Sequence, residues 1–415
     1  MTLPAVPSGH RDLQDLRKLS HSPILTYLRK QAPPPAPRIK GLRARRPSPF
    51  PSMAAFSPSR IWTWFCQYLG HRIGRRHPFP TYAKGDSDQG IYPLDGDGGE
   101  IRVALAADWG TGTDEAAAVA NRIADFKPHY AIHLGDVYYV GTPTEVNANF
   151  LGIRNPATHY VPCRWPSGSR GTFALNANHE MYALGYGYFD GILPAMGLVR
   201  DGKAQGQRAS FFCLENEHWR VIALDTGYNS IGIPIIEYFR QPSSALPPET
   251  VEWLREVVRP RADDPRGLVI LSHHPYFSCF DYCYPTPARQ AAAFVKGPVL
   301  WFWGHEHRLA IYEEFDKPGG LRTFGRCIGH GGMPVDLPPA KPLHPEFGVE
   351  FTDKRLYPND ENLTVGFNGF ARLTFEGALL TVQYVDLRGT VVFSETWAVE
   401  HGNLNRVRYS HLEAS

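Results

Sequence analysis

From residue 100 onward, short apolar runs alternate with polar and glycine-rich turns, and their spacing predicts strands interleaved with helices. Residues 101–107 (IRVALAA) read as a buried strand. Residues 112–126 (GTDEAAAVANRIADF) follow a helical period, with Thr113 placed to cap the N-terminus and Asp114 and Glu115 in the first turn. Residues 130–134, 219–224, 268–271 and 299–303 are further apolar strands, and 248–258 (PETVEWLREVV) reads as a helix opening at a proline. Near the C-terminus, 371–375, 379–386 and 390–396 alternate as antiparallel strands, with Glu376-Gly377 and Arg388-Gly389 at the turns. This order predicts a layered α/β domain with mixed sheets over residues 100–400, followed by a polar tail at 401–415. No repeat with a period of about 20–50 residues is evident.

The first hundred residues break the pattern. Residues 1–52 carry Arg11, Arg17, Lys18, Arg29, Lys30, Arg38, Lys40, Arg43, Arg45 and Arg46 against only Asp12 and Asp15, and include Pro33-Pro34-Pro35. Such composition favours a disordered Pro/Arg-rich arm over a packed core. It suits a basic tether for phosphate-rich partners, but an unstructured leader, or a start placed ahead of a true initiator at Met53, is the preferred reading. Residues 53–99 read as an amphipathic helix and a connector. Within 60–76, Ile61, Trp62, Trp64, Phe65, Tyr68, Leu69 and Ile73 include helical spacings, with the basic Arg72, Arg75 and Arg76 toward the end. Such a helix can make peripheral membrane contact or dock on the next domain; Gly70 and Gly74 favour docking. Residues 85–99 form a turn-rich connector.

Composition narrows the class. The 415-residue chain is 43% hydrophobic and 20% charged, which allows a sizeable core and excludes a wholly disordered or fibrous chain. Lys+Arg 43 against Asp+Glu 41 leaves no overall preference for nucleic acid, so no specific nucleic-acid partner is expected. No apolar run reaches the roughly 18–20 residues that span a bilayer. Six cysteines without paired CxxC motifs suit neither a disulfide scaffold nor a structural zinc site. With no ordinary secretory signal evident, a cytoplasmic location is the expectation, and export or membrane association the alternative.

The candidate chemistry lies just past the ends of the apolar runs. Five blocks sit there: Asp108-Trp109-Gly110, Gly135-Asp136-Val137-Tyr138-Tyr139, Asn178-His179-Glu180, His273-His274-Pro275 and Gly304-His305-Glu306-His307. Strand ends of one sheet converge on one edge, so blocks distant in sequence can meet there. Carboxylates, a phenol, an amide and imidazoles suit borderline-hard transition metals. Each block alone has an ordinary reading as a turn, a cap or a hydrogen-bonded histidine; all five in order, each after a strand, do not.

Together these blocks resemble the calcineurin-like metallophosphoesterases, and within them the purple acid phosphatase type. The family pattern runs D-x-[HG], GDxx[Y], GNH[ED], an H-x-P-like block and GHxH. Gly110 in the first block together with Tyr139 in the second is the paired exchange of the purple type. The resemblance covers roughly residues 100–396 and implies a layered αββα metallophosphoesterase sandwich. It also implies two metal ions. Asp108, Asp136, Tyr139 and His307 would hold iron, in the family a ferric ion. Asp136 would bridge to a second ion (Fe, Zn or Mn) held also by Asn178, His273 and His305. His179 would contact the substrate phosphate or protonate the leaving group. Ala177 stands where the family has glycine; its methyl is expected to shift the loop but removes no ligand.

Elementary chemistry agrees with that implication. Two cations about 3.5–4 Å apart polarise a phosphoryl oxygen and lower the pKa of bound water. A carboxylate with two oxygens can bridge them. Hydroxide held there attacks phosphorus in line, without a nucleophilic side chain. The expected activity is a phosphomonoesterase acting on a small phosphate ester. A phosphodiesterase or phosphoprotein phosphatase is the alternative on the same site, and a non-catalytic binding scaffold the alternative from another class. Tyr182, Tyr186, Tyr188 and Phe189, and Tyr276, Phe277, Phe280, Tyr282 and Tyr284, suit either an aromatic wall for a leaving group or loop packing. His274 and His330 suit a phosphate contact or a supporting role. His133 reads as packed, and Cys279 and Cys283 are a weak metal signal.

Overall fold

Alternating apolar positions draw the chain into two large sheets that face each other. The computed structural model describes residues 50–56, 61–83, 85–86, 88–232, 242–259, 264–295, 297–316, 320–339 and 341–412. The arm expected over 1–52 lies, apart from its last three residues, outside the described residues. In chain order the strands are β1 (Ile91–Pro93), β2 (Glu100–Ala106), β3 (Tyr130–His133), β4 (Gly171–Ala174), β5 (Gly197–Arg200), β6 (Lys203–Ala204), β7 (Phe212–Glu215), β8 (Trp219–Ala223), β9 (Gly267–Leu271) and β10 (Val299–Trp303). They continue with β11 (Leu309–Phe315), β12 (Thr323–Ile328), β13 (Val349–Thr352), β14 (Leu356–Pro358), β15 (Thr364–Gly366), β16 (Gly369–Glu376), β17 (Leu379–Asp386), β18 (Val391–Glu400) and β19 (Asn403–His411).

One mixed sheet has the order β19-β18-β17-β16-β2-β3-β4-β5-β6; the other is β1-β7-β8-β9-β10-β12-β11-β13. β2, β3 and β4 run parallel in the first, and β8, β9 and β10 run parallel in the second. Parallel strands are covered on both faces, which explains their unbroken apolar sequences; every residue of β10 (VLWFW) is buried. Val103, Leu105, Ile132 and Phe173 of one sheet meet Val221, Val269, Leu300 and Phe302 of the other in the central layer. Helix Asp114–Phe126 covers the outside of the first sheet through Val119, Ala120 and Ile123. Thr113 caps that helix, its hydroxyl accepting from Ala116 N (3.2 Å). Helix Pro248–Trp253, which widens through Val258, covers the second sheet. The result is an αββα sandwich.

Two regions depart from the sequence pattern, and a third takes up the docked arrangement expected of it. Within the polar tail expected over 401–415, residues 403–411 form a strand, and 413–415 lie outside the described residues. Leu404 is buried, and the alternation N-L-N-R-V-R-Y pairs residues 403–411 with β18 as an edge strand. The connector 85–99 contributes β1, which pairs parallel with β7. The helix within 60–76 is Ile61–His71 and docks: Trp64 and Tyr68 are buried, stack at 5.1 Å and pack on Tyr182. Among the described residues, no helix is long and apolar enough to cross a membrane.

A buried ion pair joins the sheets away from the strand ends described below. Arg326 of β12 meets Glu395 of β18 through two 2.7 Å hydrogen bonds, with both side chains fully buried. Arg326 also donates to the Tyr312 and Gly325 carbonyls, and the Tyr384 hydroxyl donates to Glu395. Breaking one partner strands the other charge. Glu395→Gln is therefore expected to cost about 3–5 kcal/mol in urea unfolding, and Arg326→Met with Glu395→Leu to recover much of that loss. A Glu395→Gln protein as stable as wild type would show the pair to be dispensable.

Candidate metal and phosphate site

The C-terminal ends of β2, β3, β4, β8, β9 and β10 open at one edge of the sandwich. Asp108 follows β2, Asp136 follows β3, Asn178 and His179 follow β4, His273 follows β9, and His305 and His307 follow β10. The turns are sharp: Asp108 (φ 57°), Asp136 (φ 76°) and His305 (φ 70°) are left-handed, a conformation that costs a non-glycine residue on the order of 1–3 kcal/mol. Hydrogen bonds among the blocks hold them there. Asp108 N donates to Gly135 O (2.9 Å), His305 N to Asp108 Oδ2 (2.8 Å) and His179 N to Asp136 Oδ1 (3.1 Å). A Cβ at Gly304 would lie 2.6 Å from Asp108 Oδ2, so the His305–His307 turn can press on Asp108 only because residue 304 has no side chain.

Two donor groups share Asp136. In one, Tyr138 Oη lies 2.8 Å from Asp108 Oδ1, 3.0 Å from Asp136 Oδ2 and 3.0 Å from His307 Nε2. In the other, His273 Nε2 lies 3.4 Å from the same Asp136 oxygen and 3.2 Å from His305 Nδ1, which is 3.0 Å from Asn178 Oδ1. His273 Nδ1 donates to Leu134 O (3.0 Å), so in the neutral ring the lone pair is on Nε2, facing Asp136. Asn178 Nδ2 donates to Tyr182 Oη (3.2 Å), which turns the amide oxygen toward His305.

The electrostatics call for a cation. Asp108 and Asp136 are both buried. Burial pushes the Asp108 carboxyl up to about 7, opposed by the His273 imidazole and reinforced by Asp136. Burial acts likewise on Asp136, but the His179 and His273 imidazoles hold it below the usual carboxylate range. His273 is raised to about 9: its own burial opposes the charge, and Asp136 more than compensates. Glu180, whose Oε2 accepts from Asp136 N, is pushed up to about 8 by burial and then by Asp136. Crowded carboxylates with imidazoles, an amide oxygen and a phenol, buried except for the half-buried His305, fit bound metal ions.

One residue named from the sequence has its side chain elsewhere. Tyr139 is not among these donors; its neighbour Tyr138 is. Val137 bridges to Gly110 and Tyr138 N donates to Gly110 O (2.9 Å), which fixes the backbone so that the Tyr138 phenol enters the carboxylate cluster. The Tyr139 phenol instead donates to Ala55 O (2.6 Å), and its ring lies 4.9 Å from Phe56. Tyr139 does reach the site through its backbone, because its carbonyl accepts from His179 Nδ1. That contact leaves His179 Nε2 3.8 Å from Asp136 Oδ2, with the imidazole 4.3 Å from the Tyr138 ring.

The remaining expectations divide. Ala177 is extended (φ −141°), which any residue adopts, and its methyl fits because Gly135 opposite has none: a Cβ there would lie 2.6 Å away. His133 packs 5.0 Å from Phe150 and from Trp165. His330 is buried under burial that lowers its pKa to about 4. Tyr276 and Phe277 belong to an outer core, and all six cysteines are free. Tyr182 and Tyr284 do reach the site, the latter 3.3 Å from His305 Nε2. A sixth block, Asp225-Thr226-Gly227 after β8, was missed although it obeys the same strand-end rule. Its carboxylate accepts from Gly227 N and Tyr228 N (2.8 Å each), and a Cβ at Gly227 would lie 2.5 Å from Ala177 N.

An αββα sandwich with carboxylates and imidazoles gathered at its strand ends is the build of a metal-dependent phosphoesterase. The family model for calcineurin-like phosphoesterases matches residues 101–309, a span that contains every ligand candidate, and the chain belongs to that family of hydrolases. No curated protein matches the chain. Among solved structures, the purple acid phosphatase PPD1 from yellow lupin (Lupinus luteus) seeds overlays with a TM-score of 0.47 at 16% identity, covering 74% of this chain and 55% of that one. GAP50, the anchor in the inner membrane complex of Plasmodium, overlays with a TM-score of 0.43 at 14% identity over 72% of this chain and 89% of its own. PhoD gives a TM-score of 0.43 at 12% identity over 78% and 74%. The chain thus spans little more than half the length of the lupin structure.

The two tyrosines can be told apart. Tyr139→Phe is expected to keep its metal content and lose about 1 kcal/mol of stability with the Ala55 hydrogen bond. Tyr138→Phe is expected to lower metal occupancy and alter any visible absorption. Metal analysis with absorption spectra reads both, and the opposite pattern would return the ligand role to Tyr139.

Proposed function

We propose that the chain is a dinuclear phosphomonoesterase of the purple acid phosphatase type that hydrolyses a small phosphate ester by attack of water on phosphorus. The observation that carries this reading is the sharing of one Asp136 oxygen between two donor groups. Asp108, Asp136, Tyr138 and His307 would hold one ion, iron in this reading. Asp136, Asn178, His273 and His305 would hold the second, Fe, Zn or Mn. When bound, the ions polarise a phosphoryl oxygen and make water more acidic.

The protein's own groups supply orientation. The Tyr139 carbonyl fixes the His179 ring, so that Nε2 serves the phosphate or the departing oxygen. Tyr182 orients the Asn178 amide, and Glu180 holds the Asp136 backbone. Substrate oxygens enter beside Tyr284 and Tyr182, whose rings give an apolar flank to the leaving group. No side chain in the cluster is a free nucleophile of the serine or cysteine kind, so direct water attack rather than a phosphoenzyme is the reading.

Purified protein is expected to contain metal and to hydrolyse p-nitrophenyl phosphate faster than its bis ester. Chelation should abolish that activity. Asp136→Asn should reduce activity more than about 10²-fold and lower the content of both metals. Preference for the bis ester would move the assignment to a phosphodiesterase. Metal-free, inactive wild-type protein would sink the proposal in favour of a binding scaffold.

A further inference from the structure

His274 follows a candidate metal ligand in sequence, yet its hydrogen bonding is opposite to that of His273. The ring is buried, with its centroid 4.6 Å from that of His305, 5.0 Å from that of His273 and 4.7 Å from that of Tyr284. One of its nitrogens lies within 4.8 Å of ligand nitrogens of both His273 and His305. Proximity alone would make it a third imidazole for a cation.

Thr226 argues otherwise. Its side chain is fully buried, and among the described residues Thr226 Oγ1 has two partners, both on His274: the backbone N (3.1 Å) and ring Nδ1 (3.0 Å). The backbone N–H must donate. A buried hydroxyl also has one proton to place, and Nδ1 is the acceptor within reach. With the hydroxyl donating to Nδ1, the ring's proton is on Nε2. Were the ring protonated at both nitrogens, Nε2 would again carry a proton. Only a neutral ring protonated at Nδ1 frees Nε2 as a ligand, and that arrangement leaves the Thr226 hydroxyl proton without an acceptor among the described residues. His273 shows the contrast, since its Nδ1 faces a carbonyl, which can only accept.

The Thr226 turn is rigid. Asp225 accepts from Gly227 N and Tyr228 N, and Gly227 lies against the Asn176–Ala177 backbone leading into Asn178. The same packing that sets the Asn178 loop therefore sets the His274 ring.

We propose that His274 is a substrate-contacting residue whose Nε2–H donates to a phosphoryl oxygen of the ester, and that Thr226 is its positioning residue. This rests on the phosphoesterase reading above and deepens it, because it adds a neutral-capable donor on the side of His273 and His305. It also separates two adjacent histidines by role: one offers a lone pair, the other a proton.

The test uses metal-loaded full-length protein, with p-nitrophenyl phosphate as substrate and inorganic phosphate as competing ligand. His274→Ala and His274→Asn are expected to keep full metal content while KM and the phosphate inhibition constant rise about 10-fold or more, the scale of one hydrogen bond to a charged oxygen. His274→Gln should recover part of the loss, because its amide nitrogen reaches the Nε2 position, whereas that of asparagine reaches only the Nδ1 position. Thr226→Val should move KM in the same direction, and Thr226→Ser should restore it. Loss of metal from His274→Ala would make the residue a ligand and overturn the proposal, as would unchanged KM and phosphate inhibition. If wild type hydrolyses no ester, calorimetry with phosphate decides. Equal binding by wild type and His274→Ala defeats this inference alone; no binding by wild type defeats it together with the functional reading.

Discussion

Two carboxylates, Asp108 and Asp136, are held away from water at the meeting point of parallel strand ends, and a single phenol hydroxyl touches both. Like charges so placed repel in a medium that screens them poorly. Much of the nearby structure serves to keep them there. Three left-handed turns aim the side chains inward, Gly304 lets a second turn press on Asp108, and backbone donors from the His179 and His305 turns occupy the outer carboxylate oxygens. Local strain of this kind persists only where the surroundings over-determine it. Here the surroundings are six strands whose inward-facing side chains join one central core.

The site is not built from the matched domain alone. The segment Met53–Phe56 and helix Ile61–His71 precede residue 101, yet both bear on catalytic candidates. Phe56 lies 6.2 Å from the Tyr138 ring and packs with Met333, and Ala55 accepts the Tyr139 phenol. Trp64 and Tyr68 pack on Tyr182, whose hydroxyl orients Asn178 and whose ring lies 5.0 Å from His179. The Arg72 guanidinium lies over both Tyr68 and Tyr182. An aromatic chain thus runs from the N-terminal helix to the amide and imidazole of the third block. The docked helix is part of the support for the site rather than an appendage.

Much of this was legible in the sequence because the rules involved are local. An unbroken apolar run followed by Asp, Asn or His marks a parallel strand and its end, and that pattern locates Asp108, Asp136, Asn178, His273, His305 and His307. Residue spacing does not say which way a side chain turns once a strand has ended. The second block holds Tyr138 and Tyr139 side by side, and the family pattern GDxx[Y] selects Tyr139. The pairing of Val137 with Gly110 selects Tyr138, and that pairing depends on another block 27 residues earlier in the chain. Asp225-Thr226-Gly227 was visible by the strand-end rule but carries no histidine to draw notice. The strand 403–411 was hidden because an edge strand needs only one buried position, Leu404, to anchor it.

The interior also sets a limit on the conditions in which the site can work. His330 and His133 are buried, and burial lowers their pKa values to about 4 and about 3. In the unfolded chain each would titrate near 6.5. The neutral rings therefore contribute stability that is fully present above about pH 6.5 and is lost as pH falls through about 4 and then about 3. His133 lies on β3 directly ahead of the Asp136 turn, where its Nδ1 accepts from Gly135 N (3.3 Å). Acid that protonates this ring removes that acceptor and places a charge among Trp109, Phe150 and Trp165. The turn that presents Asp136 is thereby tied to the neutrality of a core histidine, so strongly acidic conditions work against the fold where the cluster is assembled.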